Sequence, residues 1–235
     1  MFIPIRDTVP SSARPVLTYT IIAACVVIFG YQAALSEAGL SRFVDRFGMA
    51  PSHLFGAEGD PLLGRMATLI TCMFLHGGWL HLLGNMLYLY IFGDNVEDRL
   101  GHVGFVFFYL GTGMVGSLCQ AVLDPGSTVH TIGASGAIAG VLGAYIVFHP
   151  HARVLAIVFI VIIFQAIEVP AYLFLGFWFV LQLFQGVGAL GAEAGGGVAW
   201  WAHIGGFAVG AGVAWVLRRG FSRTGPPPFR FPHGA

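Results

Sequence analysis

From residue 16 to residue 35 the chain runs for twenty positions without a single charged side chain, and it does something similar five more times. The further charge-free apolar runs cover residues 79–93, 103–123, 135–148, 171–192 and 198–217. A hydrocarbon layer about 30 Å thick is crossed by roughly 20 residues of helix, because a helix satisfies its own backbone hydrogen bonds where no water can. Runs of this kind at this density leave few alternatives to an all-α, polytopic membrane bundle. Composition agrees. Only 9% of the residues are charged and 57% are hydrophobic, whereas a soluble domain averages about 25% charged and needs that polarity to cover its surface.

Six crossings are therefore expected. The second run has an apolar lead-in, "MATLITCMFLHGGW", and could begin earlier. A further run at 154–167 holds only fourteen residues before Glu168 and Pro170. As a helix rising 1.5 Å per residue it would fall short of the bilayer, so it is read as an interfacial or re-entrant piece. The domain plan is a short cytoplasmic segment at 1–15, a six-helix core at 16–217 and a short proline-rich tail at 218–235 that is expected to be disordered. Arg6 and Arg14 ahead of the first run give it a signal-peptide look. Its length and the spans that follow favour a retained first helix, with no soluble domain ahead of it.

Arginine placement orients the bundle. With the N-terminus in the cytoplasm, the inner segments hold Arg6, Arg14, Arg99, Arg153, Arg218, Arg219, Arg223 and Arg230, and the outer segments hold only Arg42, Arg46 and Arg65. Eight against three follows the positive-inside rule and favours a multi-pass protein with its N-terminus in the cytoplasm. Net charge is zero, which speaks against nucleic-acid binding. Cys25, Cys72 and Cys119 stand singly in apolar runs with no ligand spacing, as buried free thiols do.

That topology carries a consequence. Crossings two, four and six all begin on the outer side, and their first turns hold His81 and Asn85, Ser135, and His203. Polar groups inside a membrane are costly unless they are paired or functional, and here four of them from three distant stretches share one depth. Ser135 heads a crossing of only fourteen residues, about 21 Å of helix, so it should lie below the outer surface. Its setting, Gly133-Ala-Ser-Gly136, is a weak motif by itself, and a serine at a helix start is ordinarily an N-cap. Small residues every fourth position shift the balance. Gly136 and Gly140 on crossing four, and Ala202, Gly206, Gly210 and Ala214 on crossing six, would let those two helices approach closely. Such packing would bring a serine oxygen within reach of an imidazole, the arrangement that activates a nucleophile.

His81 and Asn85 stand four apart and so share a helix face, where they offer hydrogen-bond donors for a tetrahedral oxyanion. The backbone N–H of Ser135, at a helix start, could add another. The only acid by the apolar stretches is Glu168, on the inner side, so the arrangement reads as a Ser–His dyad rather than a triad. A His81–His203 haem pair is the bland alternative for the imidazoles.

These residues resemble the rhomboid intramembrane serine proteases. "HGGWLHLLGN" at 76–85, "EDRLG" at 97–101, "GASG" at 133–136 and "AHIGGFAVG" at 202–210 occur in the family's order, and the resemblance runs over nearly the whole chain. It implies that Ser135 is the nucleophile and His203 the base and later the acid. Asn85 and His81 would assist the oxyanion, His76 would wall a water cavity, and Glu97 and Arg99 would tie the inner end of crossing two. The implied substrates are transmembrane helices entering sideways past crossing five, with no metal or other cofactor. Two positions depart from the pattern. Ala67 and Thr68 stand where some members carry Trp-Arg, so the first loop must dock differently. Ala139 stands where some carry a Tyr beneath the histidine ring, so another group must position His203.

Competing readings are a non-proteolytic relative that binds membrane helices, which typically lacks the serine or the histidine, and a transporter or haem protein, for which no inverted repeat is evident. A zinc protease is disfavoured because no HExxH occurs. Oligomeric state is not encoded in any feature of the chain.

Overall fold

The structure is a computed structural model that describes residues 2–56, 61–160, 163–189 and 198–221. It is a helical bundle with a small sheet at one end. Helix α1 (Val16–Ala34) is followed by three short helices, α2 (Glu37–Phe47), α3 (Pro51–Phe55) and α4 (Leu62–Thr71), and by a 3₁₀ turn at Cys72–Phe74. Helix α5 (Trp79–Leu123) is 45 residues long but breaks at Gly101, where φ is 69°. An L side chain rarely adopts that conformation, and the helix divides there into two arms, 79–100 and 102–123. Helices α6 (Ser135–Phe148), α7 (Ala171–Gly188) and α8 (Trp200–Phe221) complete the bundle. Among the described residues α1, α5, α7 and α8 are long and apolar enough to cross a membrane, and α6 is a shorter apolar helix. Large apolar side chains such as Val27, Leu80, Phe107 and Phe184 point outward, each more than two-thirds exposed. A protein in water would not leave so much apolar surface uncovered.

The run at 154–167, read as an interfacial or re-entrant piece, is strand and not helix over its described residues. It supplies most of an antiparallel hairpin, β2 (Arg153–Ile160) and β3 (Ile163–Pro170), and β1 (Phe2–Asp7) pairs with the outer edge of β2. Val154, Ile157 and Val158 are β-branched, and such side chains pack well on a pleated surface. Pro4 falls on the edge strand, where its missing N–H costs no ladder bond, and the register slips between Pro4 and Arg6. Within the segment 1–15, β1 ends in Asp7, whose carboxylate accepts hydrogen bonds from Asn95 Nδ2 at 2.8 Å and from the Tyr145 hydroxyl, pinning the sheet to α5 and α6. Helix α8 continues past residue 217, and the expected tail from 222 onward lies outside the described residues.

The helix of crossing two extends beyond the charge-free run that ends at residue 93. The first arm of α5 continues through Asp94, Glu97 and Asp98, and its charges do local work. Helix α1 starts after Pro15 with no side-chain cap of its own. Glu97 supplies one, accepting from Leu17 N at 2.9 Å, from Thr18 N at 2.7 Å and from Thr18 Oγ1 at 2.7 Å. A carboxylate at a helix N-terminus answers both orphan N–H groups and the helix dipole.

Helix α6 runs through the centre, with every residue from Gly136 to Tyr145 buried. It packs on the second arm of α5 and on α8, and the closeness of that packing depends on glycine. A β-carbon at Gly206 would stand 2.0 Å from the Gly136 carbonyl oxygen, and one at Gly210 would stand 2.1 Å from that of Gly140. All three cysteines are free; Cys25 and Cys72 are buried and Cys119 is half-buried.

Candidate active site

Close packing of α6 and α8 sets the first contact of the site. Ser135 is the first helical residue of α6, the N-cap position falling on Ala134, which makes no side-chain cap. The Ser135 hydroxyl is therefore not the cap. Its Oγ lies 2.7 Å from Nε2 of His203, in the first turn of α8. The segment leading into Ser135 is strapped down on both sides. Met49 and Thr131 exchange backbone hydrogen bonds of 3.2 and 2.8 Å, and Gly133 N donates to the Cys72 carbonyl at 2.8 Å.

The first arm of α5 brings up the donors. Gly77 N donates to His81 Nδ1 at 3.3 Å. That nitrogen is then the acceptor, which leaves Nε2 to carry the proton. Nε2 faces Gly133, where an added β-carbon would stand 2.7 Å from it. Gly133 also has φ of 122°, so the conformation and the close imidazole both require glycine there. Asn85 is buried, and its Nδ2 has no partner. A buried amide donor without an acceptor is rare enough to need a reason. Gly133 N is occupied by Cys72 and is not free to join it.

His76 is 2% exposed, and both of its ring nitrogens lack partners. Its ring meets that of His81 edge-on with centroids 5.3 Å apart. Gln32 of α1 holds the His76 backbone from both sides, accepting from its N at 3.0 Å and donating to its carbonyl at 3.2 Å. Glu97 lies at the opposite end of the first α5 arm, capping α1 as described. Arg99 is beside it; burial first, and the Arg99 charge second, hold the His149 imidazole down to about 4. Gly140 faces two ways: its α-carbon stands against Gly210, and a β-carbon there would meet Thr112 of α5 at 2.5 Å. Gly136 has more room, with Ala202 O 3.5 Å from where its β-carbon would be.

Three neighbours of His203 escaped the sequence reading, two from α7 and one from α8 itself. Nδ1 of His203 lies 2.6 Å from Gln182 Oε1. The Trp178 ring is tilted against the imidazole at a centroid distance of 5.8 Å, and Trp200 meets it edge-on at 6.1 Å. The signal for the first was a glutamine in the middle of an apolar helix, four residues after Trp178 and so on the same face. Between α7 and the first arm of α5 runs an apolar groove of about 480 Å³, lined by Tyr88, Val169, Leu173, Phe174, Phe177, Trp178 and Leu181. Trp178 thus borders both the groove and His203.

A model of the Rhomboid domain matches residues 63–220, more than half of the chain and all of the site elements just described except Gln32 and Met49. The chain belongs to the rhomboid family. Among curated relatives it is 32% identical to rhomboid protease GluP of Bacillus subtilis over 187 residues, covering 79% of this chain and 34% of GluP. It is 40% identical to YdcA of the same bacterium over 83 residues, covering 35% of this chain and 41% of YdcA. RHOMBOID-like protein 5 of Arabidopsis thaliana is 40% identical over 81 residues, which are 34% of this chain and 26% of that protein. The chain thus matches less than half the length of each of these relatives.

Proposed function

We propose that this chain is an intramembrane serine endopeptidase that cleaves transmembrane segments with a Ser135–His203 dyad. The observation that carries the reading is the 2.7 Å contact between Ser135 Oγ and His203 Nε2, made beside a buried Asn85 amide that has nothing to bond. In the first step Nε2 takes the hydroxyl proton as Oγ attacks the scissile carbonyl. The oxyanion that forms is met by Asn85 Nδ2, by His81 Nε2–H and by the Ser135 backbone N–H, and such preorganised donors act most strongly where water is excluded. Nε2 then returns the proton to the leaving amine. Water that hydrolyses the acyl-enzyme would be held by the unpaired nitrogens of His76 and passed along the His76–His81 edge.

The substrate enters sideways along the groove between α7 and the first arm of α5, whose apolar lining suits a lipid-embedded helix and whose inner limit is Trp178. A helix shields its own carbonyls, so the scissile stretch has to unwind, which favours small or helix-breaking residues there. The topology proposed is six crossings, counting the two arms of α5 separately, with the N-terminus and the β-sheet on the cytoplasmic side of a bacterial inner membrane. The 16–217 core carries the protease, and no metal takes part. The test is cleavage of a model transmembrane substrate by protein reconstituted in liposomes. Activity should survive EDTA, vanish in Ser135→Ala and be blocked by a serine-reactive isocoumarin attached at residue 135. Turnover by Ser135→Ala at the parent rate overturns the proposal.

A further inference from the structure

An imidazole that serves as a base must present its unprotonated nitrogen to the nucleophile, and something must hold it in that tautomer. In a Ser–His–Asp triad a buried carboxylate does so. Here the partner of His203 Nδ1 is the side-chain amide of Gln182, at 2.6 Å. Both residues are buried, at 6% and 7% exposure, so water is a poor substitute.

The direction of that hydrogen bond follows from the other end of the amide. Gln182 Nε2 lies 3.3 Å from the backbone carbonyl of Trp178, one turn earlier on α7. A carbonyl oxygen cannot donate, so the nitrogen of the amide belongs there and the oxygen faces His203. An amide oxygen can only accept. Nδ1 must therefore carry the proton, and Nε2, 2.7 Å from Ser135 Oγ, is left with its lone pair toward the hydroxyl. The chain of donors runs one way, from the serine hydroxyl into the imidazole and from the imidazole into Gln182 Oε1.

We propose that Gln182 is the positioning residue of this site, fixing the tautomer and rotation of His203 from α7 while Trp178, on the same face of that helix, limits the ring's tilt. The inference deepens the proteolytic reading and rests on it for its kinetic consequences. It also explains how the site manages with Ala139 where some members of the family carry a Tyr: the orienting groups come from α7. The helix that holds them is the one that walls the groove, so the base is aligned by the helix against which a substrate would lie.

The test compares the parent, Gln182→Met, which keeps length and apolarity but accepts no comparable hydrogen bond, and Gln182→Glu, which keeps an oxygen toward Nδ1. Turnover and ¹⁵N NMR of histidine-labelled protein in detergent are measured on each, with His203→Ala assigning the signal. The parent should show His203 protonated at Nδ1. Gln182→Met should lose that signature and lower kcat by about 10- to 100-fold, less than the ~10⁴-fold that loss of a buried carboxylate costs a triad, with KM within about twofold. Gln182→Glu should restore the Nδ1–H signature and most of the turnover. A parent His203 protonated at Nε2 overturns the proposal whatever the variants do. So does a Gln182→Met protein with parental kcat and an unchanged spectrum. Failure of the proteolytic reading is separable, because it would appear as a parent that neither cleaves nor reacts at Ser135 while the spectrum still reports the tautomer.

Discussion

Glycines that look equivalent in the sequence differ sharply in what they permit, and Gly206→Ala is the substitution that exposes the difference. A β-carbon at Gly206 would sit 2.0 Å from the Gly136 carbonyl oxygen. Carbon–oxygen contacts settle at about 3.3–3.6 Å, so α6 and α8 would have to part by roughly 1.3 Å. The dyad bridges the same two helices, with Ser135 one residue before Gly136 and His203 one turn before Gly206. If the separation falls along the Ser135–His203 vector, the 2.7 Å contact stretches to about 4 Å, beyond hydrogen-bond range. Misplacement by about 1 Å can cost a reaction 10²-fold.

Stability should respond far less. Overpacking typically costs about 1–3 kcal/mol, and replacing a helical glycine with alanine returns up to about 1 kcal/mol. Gly206→Ala should therefore remain folded, with a net loss of at most about 3 kcal/mol, while its cleavage rate falls about 100-fold. Two further variants calibrate the result. Gly136→Ala meets nothing closer than 3.5 Å and should keep most of its activity. Gly212→Ala, with nothing within 4 Å, should match the parent. The assay is liposome cleavage alongside thermal unfolding in detergent. Parental activity in Gly206→Ala, or equal damage from Gly136→Ala, would refute the argument that this one interhelical contact sets the dyad distance.

Asn85→Ala removes the orphan donor, and kcat should fall by about 10²–10³-fold with little change in the melting temperature, as followed by substrate cleavage and thermal unfolding together. Glu97→Ala strips the cap from α1 at the far end of the bundle; loss of a cap costs about 0.5–2 kcal/mol, more here because four hydrogen bonds go at once, three to α1 and one to His102 Nδ1, and the loss should register in unfolding rather than as a selective loss of kcat in the protein that remains folded. His149 gives the bundle a pH dependence. Its imidazole is held down to about 4 by burial first and by the Arg99 charge second, so the unfolded chain binds a proton at that residue before the folded one does. Stability should fall as pH drops from about 6.5 toward 4, by at most roughly 3 kcal/mol at about 1.4 kcal/mol per unit, and His149→Gln should flatten that slope in unfolding curves taken across the range.

The helical bundle was legible because its signal is local: a charge-free run announces a membrane helix without reference to anything else in the chain. Residues 16–35 and 135–148 illustrate this, agreeing with α1 and α6 to within a residue. The hairpin was not legible for the complementary reason. An apolar stretch of fourteen residues gives no periodicity that separates strand from helix, and what makes it a sheet is pairing that no single run displays: 153–160 against 163–170, and residues 2–7, about 150 positions away, against 154–158. The helix of crossing two outlasts its charge-free run at 79–93, because Glu97 stays helical to cap a different helix.

The site divides in the same way. Ser135, His203, His81 and Asn85 stood out because each is a polar group with a spacing or a small-residue stripe beside it. Gln182 had no such companion. Its meaning lies entirely in which end of an amide faces which atom, and that is decided by Trp178 O on one side and His203 Nδ1 on the other. Sequence spacing specifies which faces of α6 and α8 meet, and glycine at 206 and 210 specifies how closely. Neither can say which nitrogen of His203 holds the proton. That last degree of freedom, which in the proposed mechanism separates a base from an inert imidazole, is set by Gln182 on a third helix, whose Trp178 also borders the groove.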